Sequence, residues 1–122
     1  IGDVTYDKDD DYVDFAARAA AKISASPAEH KGIFLCGSGH GVNIVANKFK
    51  GIRAALCRNT KEAEQSRRDD DANVLVLAAD VHNEKEAEDI VSAWLAASFS
   101  GEERHIRRLK KIEEIEAKNF CG

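Results

Sequence analysis

Proline is nearly absent from this chain: Pro27 is the only one in 122 residues, and it falls in the stretch Ser24 to Lys31, where it breaks a helical pattern. No run of eighteen apolar residues occurs, so nothing reads as a membrane-spanning helix. No charged-then-apolar leader opens the chain, which sets the expectation of a cytoplasmic protein. Basic charge is in no surplus either. Lysine and arginine total 18 against 22 aspartates and glutamates, for a net charge of −4, and that balance leaves no electrostatic footprint for nucleic acid. Cysteine is sparse and odd in number, with Cys36, Cys57 and Cys121 at no metal-ligand spacing. A disulfide framework normally shows an even number, so all three read as thiols in a reducing compartment. No internal repeat or low-complexity tract is present. An apolar fraction of 43% and a charged fraction of 33% describe an ordinary globular chain, long enough for one core and too short for two.

The residues that are present alternate between two periodicities. Asp7 to Asp11 is a solvated acidic loop whose end suits a helix N-terminus. Tyr12 to Ile23 then places Phe15, Ala16, Ala19, Ala20 and Ile23 at helical spacing. Gly32 to Cys36 is a short continuous apolar run closed by a turn signal, the pattern of a strand buried on both faces. Val42 to Phe49 suits a helix, Ile52 to Cys57 a second strand, and Asn73 to Ala79 a third. Thr60 to Arg68 reads as a polar helix capped by Thr60, and Glu84 to Ala97 as an amphipathic one. In the last helix, Glu102 to Lys118, the apolar stripe of Ile106, Leu109, Ile112 and Ile115 is too thin to be buried wholly in its own domain. Ile1 to Thr5 reads as the tail of a strand. Strands alternating with helices imply parallel βαβ units, a doubly wound α/β sheet of Rossmann-like type. Ligands of such sheets bind beyond the carboxyl ends of the strands.

At one such strand end stands Cys36-Gly37-Ser38-Gly39-His40-Gly41. Alternating glycines let the backbone turn tightly and aim several N–H groups at one point, which makes an anion cradle. The spacing is neither the dinucleotide fingerprint nor a nucleotide P-loop. A thiol beside such a cradle can serve as nucleophile or general base. Proton removal from carbon, with negative charge building on oxygen, fits that pairing, and aldose–ketose isomerisation through an enediolate is such a reaction. Ser38 could hand protons between sugar oxygens. Arg104 and Arg108 share a helix face at a spacing suited to gripping a phosphate, although the residues alone favour a solvated face of mixed charge. His30 and His82 read as surface residues of polar loops; His105 reads as a phosphate contact or as a helix-surface histidine.

These residues resemble a known family. Cys36 to Gly41, Ala46-Asn47-Lys48, Gly51 to Cys57, Asp71 to Leu75 and Gly101 to Arg108 are together similar to the signature blocks of type B ribose-5-phosphate isomerases and their allose- and galactose-phosphate relatives. The resemblance implies a homodimer, or a tetramer, of Rossmann-like subunits that share active sites across the interface without metal or cofactor. The C-terminal helix would then reach a partner subunit. Carried over by position, Cys36 is the base, Ser38 assists it, and Gly37, Gly39 and Gly41 hold the enediolate. Tyr12, His40 and Asn43 lie on the sugar side, and Arg104, His105 and Arg108 at the phosphate.

The departures from the family pattern are acidic. Asp69 stands where the family has its ring-opening histidine, Asp70 where it has an asparagine, and Asp80 where it has a phosphate-side arginine. The resemblance therefore assigns Asp69 as acid–base and Asp70 to the substrate. It also implies that residues 1–122 form a single domain corresponding to the family's domain without its first strand and helix, the strand that ends in a substrate-touching Asp-His pair. The expected function is isomerisation of ribose 5-phosphate to ribulose 5-phosphate. The alternatives are a different aldose phosphate, or a non-catalytic sugar-phosphate binder.

Overall fold

A computed structural model describes residues 1–2, 5 and 7–120. In chain order the elements are α1 (Tyr12–Ala25), β1 (Gly32–Cys36), α2 (His40–Ala46), β2 (Ala54–Leu56), α3 (Thr60–Asp70), β3 (Val74–Ala78), α4 (Glu84–Ala96) and α5 (Glu103–Asn119). The expected alternation is present. The strand tail expected at Ile1 to Thr5 falls partly on Asp3 and Val4, outside the described residues, as does Cys121.

The three strands form a parallel sheet in the order β1-β3-β2, with Gly32 opposite Val74 and Cys36 opposite Ala78. The chain crosses the sheet from β1 to β2 and then steps back to β3. Right-handed crossovers taken in opposite directions put the connecting helices on opposite faces. One layer therefore packs Ala16, Ala20 and Ile23 of α1 and Val42 and Ala46 of α2 on Phe34, Val74 and Val76. The other packs Ala63 of α3 and Ile90 and Trp94 of α4 on Leu75 and Leu77. Every residue of β3 is buried, as a central parallel strand requires. β1 differs: its even-numbered Phe34 is covered, whereas Ile33 and Leu35 are 46% and 62% exposed. They point to the face where α3 and α4 cover β3, and among the described residues no strand pairs with the outer edge of β1. The expectation of a strand buried on both faces thus holds for β3 and fails for β1.

Local chemistry sets the helix starts. The expected N-cap Thr60 is the first helical residue instead; Asn59 caps α3, its side-chain oxygen accepting from the Glu62 N–H at 2.8 Å. Asn83 and Glu86 close a reciprocal capping box on α4. Helix α2 starts at His40, two residues before the expected Val42, because Gly39 takes the left-handed conformation at φ 80° and turns the chain into it. Asn73 ties the sheet's entry together: its side chain accepts from Arg53 N–H at 2.7 Å and donates to the Gly51 carbonyl at 2.8 Å.

Candidate active site

The glycine loop leaves β1 at its carboxyl end. The Ala79 N–H donates to the Cys36 carbonyl at 2.8 Å and the Asp80 N–H to the Gly37 carbonyl at 3.0 Å, so the exits of β1 and β3 are laced together. Cys36 is a free, half-buried thiol on the α1/α2 side of the sheet. Ser38 is exposed and its Oγ accepts from the His40 N–H at 3.3 Å, at the start of α2. His40 is exposed. Asn43 lies one turn along α2, its side-chain oxygen buried without a protein hydrogen bond.

The glycines are needed for close approach. A Cβ on Gly39 would stand 2.6 Å from Leu56 Cδ1 and 3.4 Å from the Leu77 carbonyl oxygen. One on Gly41 would run into the Tyr12 ring, 2.5 Å from its hydroxyl. Tyr12, from the first turn of α1, is thereby held against the loop. One on Gly37 would meet the Asp80 carboxylate at 2.9 Å. Asp80 therefore sits beside the base of the loop, at the carboxyl end of β3. Cys36, Ser38, His40, Gly41, Tyr12 and Asp80 form one group.

The other expected residues form a second group at the opposite end of the sheet. Asp69 and Asp70 end α3, and the chain enters β3 three residues after Asp70. The four residue steps of β3 separate that entry from the Cys36 end by about 13 Å. Helix α5 begins here too. His105 is 6% exposed, which corrects the expectation of a helix-surface histidine. Its Nδ1 lies 2.6 Å from Ser100 Oγ and 3.5 Å from Glu102 Oε2, and its Nε2 lies 3.7 Å from Asp69 Oδ1. Arg68 Nε approaches the same Asp69 oxygen at 3.5 Å. Arg104 is exposed and pairs with Glu102 at 3.0 Å, and Arg108, one turn on, is exposed. Asp70 is exposed as well.

Two residues behave otherwise than their sequence context suggests. His82, expected at the surface, has a side chain only 5% exposed, with Glu86 at 3.9 Å and no hydrogen bond to either ring nitrogen. Ser100 carried no signal, since its role depends on the distant His105. His30 is exposed as expected. Cys57 is buried, and desolvation pushes its thiol pKa above the ordinary 9.0, partly offset by a hydrogen bond with Ser66 and reinforced by the Glu62 charge. It is the small buried hydrophobe that its place after an apolar run suggested.

Two cavities flank the sheet. One of about 850 Å³ runs along β1 and α1, lined by Tyr12, Phe15, Ile33, Leu35 and Val42. The other, about 1110 Å³, lies at the amino-terminal end between the body and α5, lined by Arg53, Arg67, Asp71, Leu109, Ile112 and Glu116. The second is the larger but sits away from Cys36; Arg53 and Arg67 in its lining are both engaged by Asp71, and Lys31 and Lys50 line it as well. Among the described residues no cluster of metal-ligating side chains occurs, and no helix is long and apolar enough to cross a membrane.

The sequence and the fold are both similar to those of known proteins. A probable ribose-5-phosphate isomerase B of Mycoplasma genitalium is 41% identical over 116 residues, 95% of this chain and 76% of that protein. A D-erythrulose-4-phosphate isomerase of Pectobacterium atrosepticum is 48% identical over 71 residues, 58% of this chain and 47% of that protein. Among solved structures, ribose-5-phosphate isomerase B of Mycoplasma genitalium with bound ribulose-5-phosphate superposes with a TM-score of 0.92 at 40% identity, covering 98% of this chain and 78% of its own. Residues 1–112 match the Ribose/Galactose Isomerase family, and this chain belongs to it.

Proposed function

We propose that the chain is an aldose–ketose isomerase of sugar phosphates, acting first on ribose 5-phosphate and ribulose 5-phosphate in the cytoplasm. The observation that carries this reading is Cys36, a free half-buried thiol at a strand's carboxyl end beside a glycine loop, in a member of this family. The Cys36 thiolate removes the proton from C2 of the open-chain aldose. The C2–H electron pair becomes the C1=C2 bond of an enediolate, and the former aldehyde oxygen takes the negative charge. Amides of Gly37 to Gly41 stabilise that charge. Ser38 moves a proton from O2 to O1, Cys36 returns its proton to C1, and a ketone is left at C2. His40, Asn43 and Tyr12 shape the sugar side of the pocket. Arg104 and Arg108 bind the phosphate, Asp69 serves as acid–base, and Asp70 meets the substrate.

The division of these residues between two ends of the sheet supports a site completed by a second copy. Cys36 and its loop have Asp80 for a neighbour, whereas Arg104 and Arg108 stand with Asp69 at the far end. A homodimer, or a tetramer built from it, brings the Cys36 end of one copy to the α5 start of the other. The exposed Ile106, Ile112 and Ile115 of α5, at 51%, 49% and 62%, supply apolar surface for that contact.

The test is subunit mixing. Cys36→Ala and the double variant Arg104→Ala/Arg108→Ala are each expected to fold and to be inactive on ribose 5-phosphate. Reassorted at equal amounts they regain about a quarter of the parent rate, because half the dimers are mixed and each holds one intact site. Full activity in Cys36→Ala refutes the base, and no recovery on mixing refutes the shared site. Calorimetric binding of ribose 5-phosphate without turnover by the parent marks a non-catalytic binder instead.

A further inference from the structure

Helix α5 carries more positive charge along one line than a phosphate can use. Arg104, Arg107, Arg108 and Lys111 recur at i, i+3, i+4 and i+7, so they form a single stripe on the helix. All four are exposed. The body of the subunit is met by a different face: His105 is buried, Leu109 and Glu116 are half-buried, and Glu116 accepts the Gly51 N–H at 3.0 Å. The stripe therefore looks away from its own subunit. Arg104 is paired with Glu102 at 3.0 Å, whereas among the described residues Arg107, Arg108 and Lys111 have no ion-pair partner.

Such a stripe does not serve the helix that bears it. Like charges three and four residues apart repel one another. Cations at the start of a helix also oppose its dipole, which favours anions there. Nor does a substrate phosphate account for the whole of it. A phosphate monoester carries about two negative charges near neutrality, which Arg104 and Arg108 match. Arg107 and Lys111 are left over, the second of them about 10 Å along the axis from Arg104. They call for a further anion, fixed beside the phosphate rather than bound with it.

The chain itself carries such an anion. Asp7, Asp9, Asp10 and Asp11 set four carboxylates around Lys8 within five residues, all exposed. The turn is shaped by the Asp9 N–H donating to Asp7 Oδ1 at 2.9 Å and the Asp10 N–H donating to the Asp7 carbonyl at 3.3 Å. Among the described residues no ion pair joins Asp7, Asp9 or Asp11 to a cation. Helix α1 begins directly after the turn, and its first residue, Tyr12, has its ring against Gly41. The acidic turn thus borders the Cys36 end of the sheet, while the stripe of the same copy begins at the opposite end.

We propose that the cationic stripe of α5 docks on the Asp7–Asp11 turn of a second copy, with Arg107 and Lys111 meeting the aspartates and Arg104 and Arg108 left to the phosphate. The inference rests on the reading of a site shared between copies, and adds to it the surface that sets their register. Two-fold symmetry makes the contact twice, once beside each site. Because the groups are exposed, its strength falls as salt is added.

Two variants test it. Asp9→Lys/Asp11→Lys turns the charge of the acidic turn positive, and Arg107→Glu/Lys111→Glu cancels that of the stripe. All four positions are exposed and none belongs to the catalytic or phosphate-binding set, so both variants are expected to keep the parent's circular dichroism. By sedimentation equilibrium at low salt, each should raise the dimer dissociation constant about tenfold or more. At about 1 M salt, where the screening length is about 3 Å, the difference from the parent should fall away. Mixed in equal amounts at low salt, the two variants should form heterodimers in excess of the statistical half, counted by native mass spectrometry. The heterodimer keeps one unaltered contact, whereas the turn-variant homodimer sets cations against cations at both. Dissociation constants equal to the parent's at low salt, or heterodimers at the statistical half, overturn the contact and leave the shared site to stand on the recovery of activity by mixed Cys36→Ala and Arg104→Ala/Arg108→Ala. A parent that is monomeric while turning over ribose 5-phosphate overturns the shared site, and the contact with it.

Discussion

Gly39→Ala probes the loop most directly, because the structure separates its two costs. At φ 80° the residue sits in the left-handed region, where an L side chain costs about 1–2 kcal/mol. The added methyl would also stand 2.6 Å from Leu56 Cδ1, which can swing, and 3.4 Å from the Leu77 carbonyl oxygen, which belongs to the central strand and cannot. Forcing a group into packed surroundings adds about 1–3 kcal/mol. Gly101→Ala is the internal control: its φ is 70°, yet nothing lies within 4 Å of its Cβ, so it bears the conformational cost alone. Urea denaturation of both variants isolates the packing cost by subtraction. Gly39→Ala is expected to be less stable than Gly101→Ala by about 1–3 kcal/mol, which for a domain of this size lowers Tm by roughly 3–6 °C per kcal/mol. Turnover should fall further than stability explains, because a displaced loop no longer presents its amides. Equal destabilisation of the two variants would refute the close approach on which the cradle depends.

Three other outcomes are expected. The raised Cys57 thiol stabilises the fold fully below its ordinary value of 9.0 and loses that contribution as pH rises through the elevated folded value, so unfolding free energy falls above pH 9 and falls less in Cys57→Val. Asn73→Ala removes two hydrogen bonds that join Gly51, Arg53 and the entry to β3, at a cost of about 2–4 kcal/mol read by denaturant midpoint. Asp80→Asn removes a negative charge beside Gly37 and should lower KM for ribose 5-phosphate several-fold at low salt, an effect that shrinks as salt is added.

What was legible in the residues follows from how local each signal is. The run Gly32 to Cys36, closed by a glycine turn, marks a strand because apolar continuity and the breaker lie within seven positions. The thin stripe of α5 was equally plain, and Ile106, Ile112 and Ile115 are exposed as it implied. Boundaries were less so: Asn59 and Thr60 are both capping residues, and only the Glu62 N–H, received by Asn59, decides between them. The start of α2 hid in the φ of Gly39, a torsion that composition does not display. Burial of His82 and His105 was not legible at all, since polar neighbours in sequence say nothing about which helices fold over a loop. Ile33 and Leu35 misled in the other direction, because an apolar run reports that a strand can be covered on both faces, not that it is.

The segregation of charge bears on Asp69, Asp70 and Asp80, the three carboxylates that depart from the pattern the resemblance implies. If Cys36, Asp69 and Asp80 faced one cavity of a single copy, a phosphate dianion would be repelled by two fixed charges at short range. The fold does not arrange them so. Asp69 stands at the amino-terminal end of the sheet, beside His105 and Arg68, where its charge is paired. Asp80 lies at the carboxyl end, against the base of the glycine loop. The cations that suit a phosphate, Arg104 and Arg108, begin a helix whose own body covers the opposite end. On that arrangement Asp69 is paired locally, and Asp80 is the carboxylate whose neutralisation is expected to tighten substrate binding.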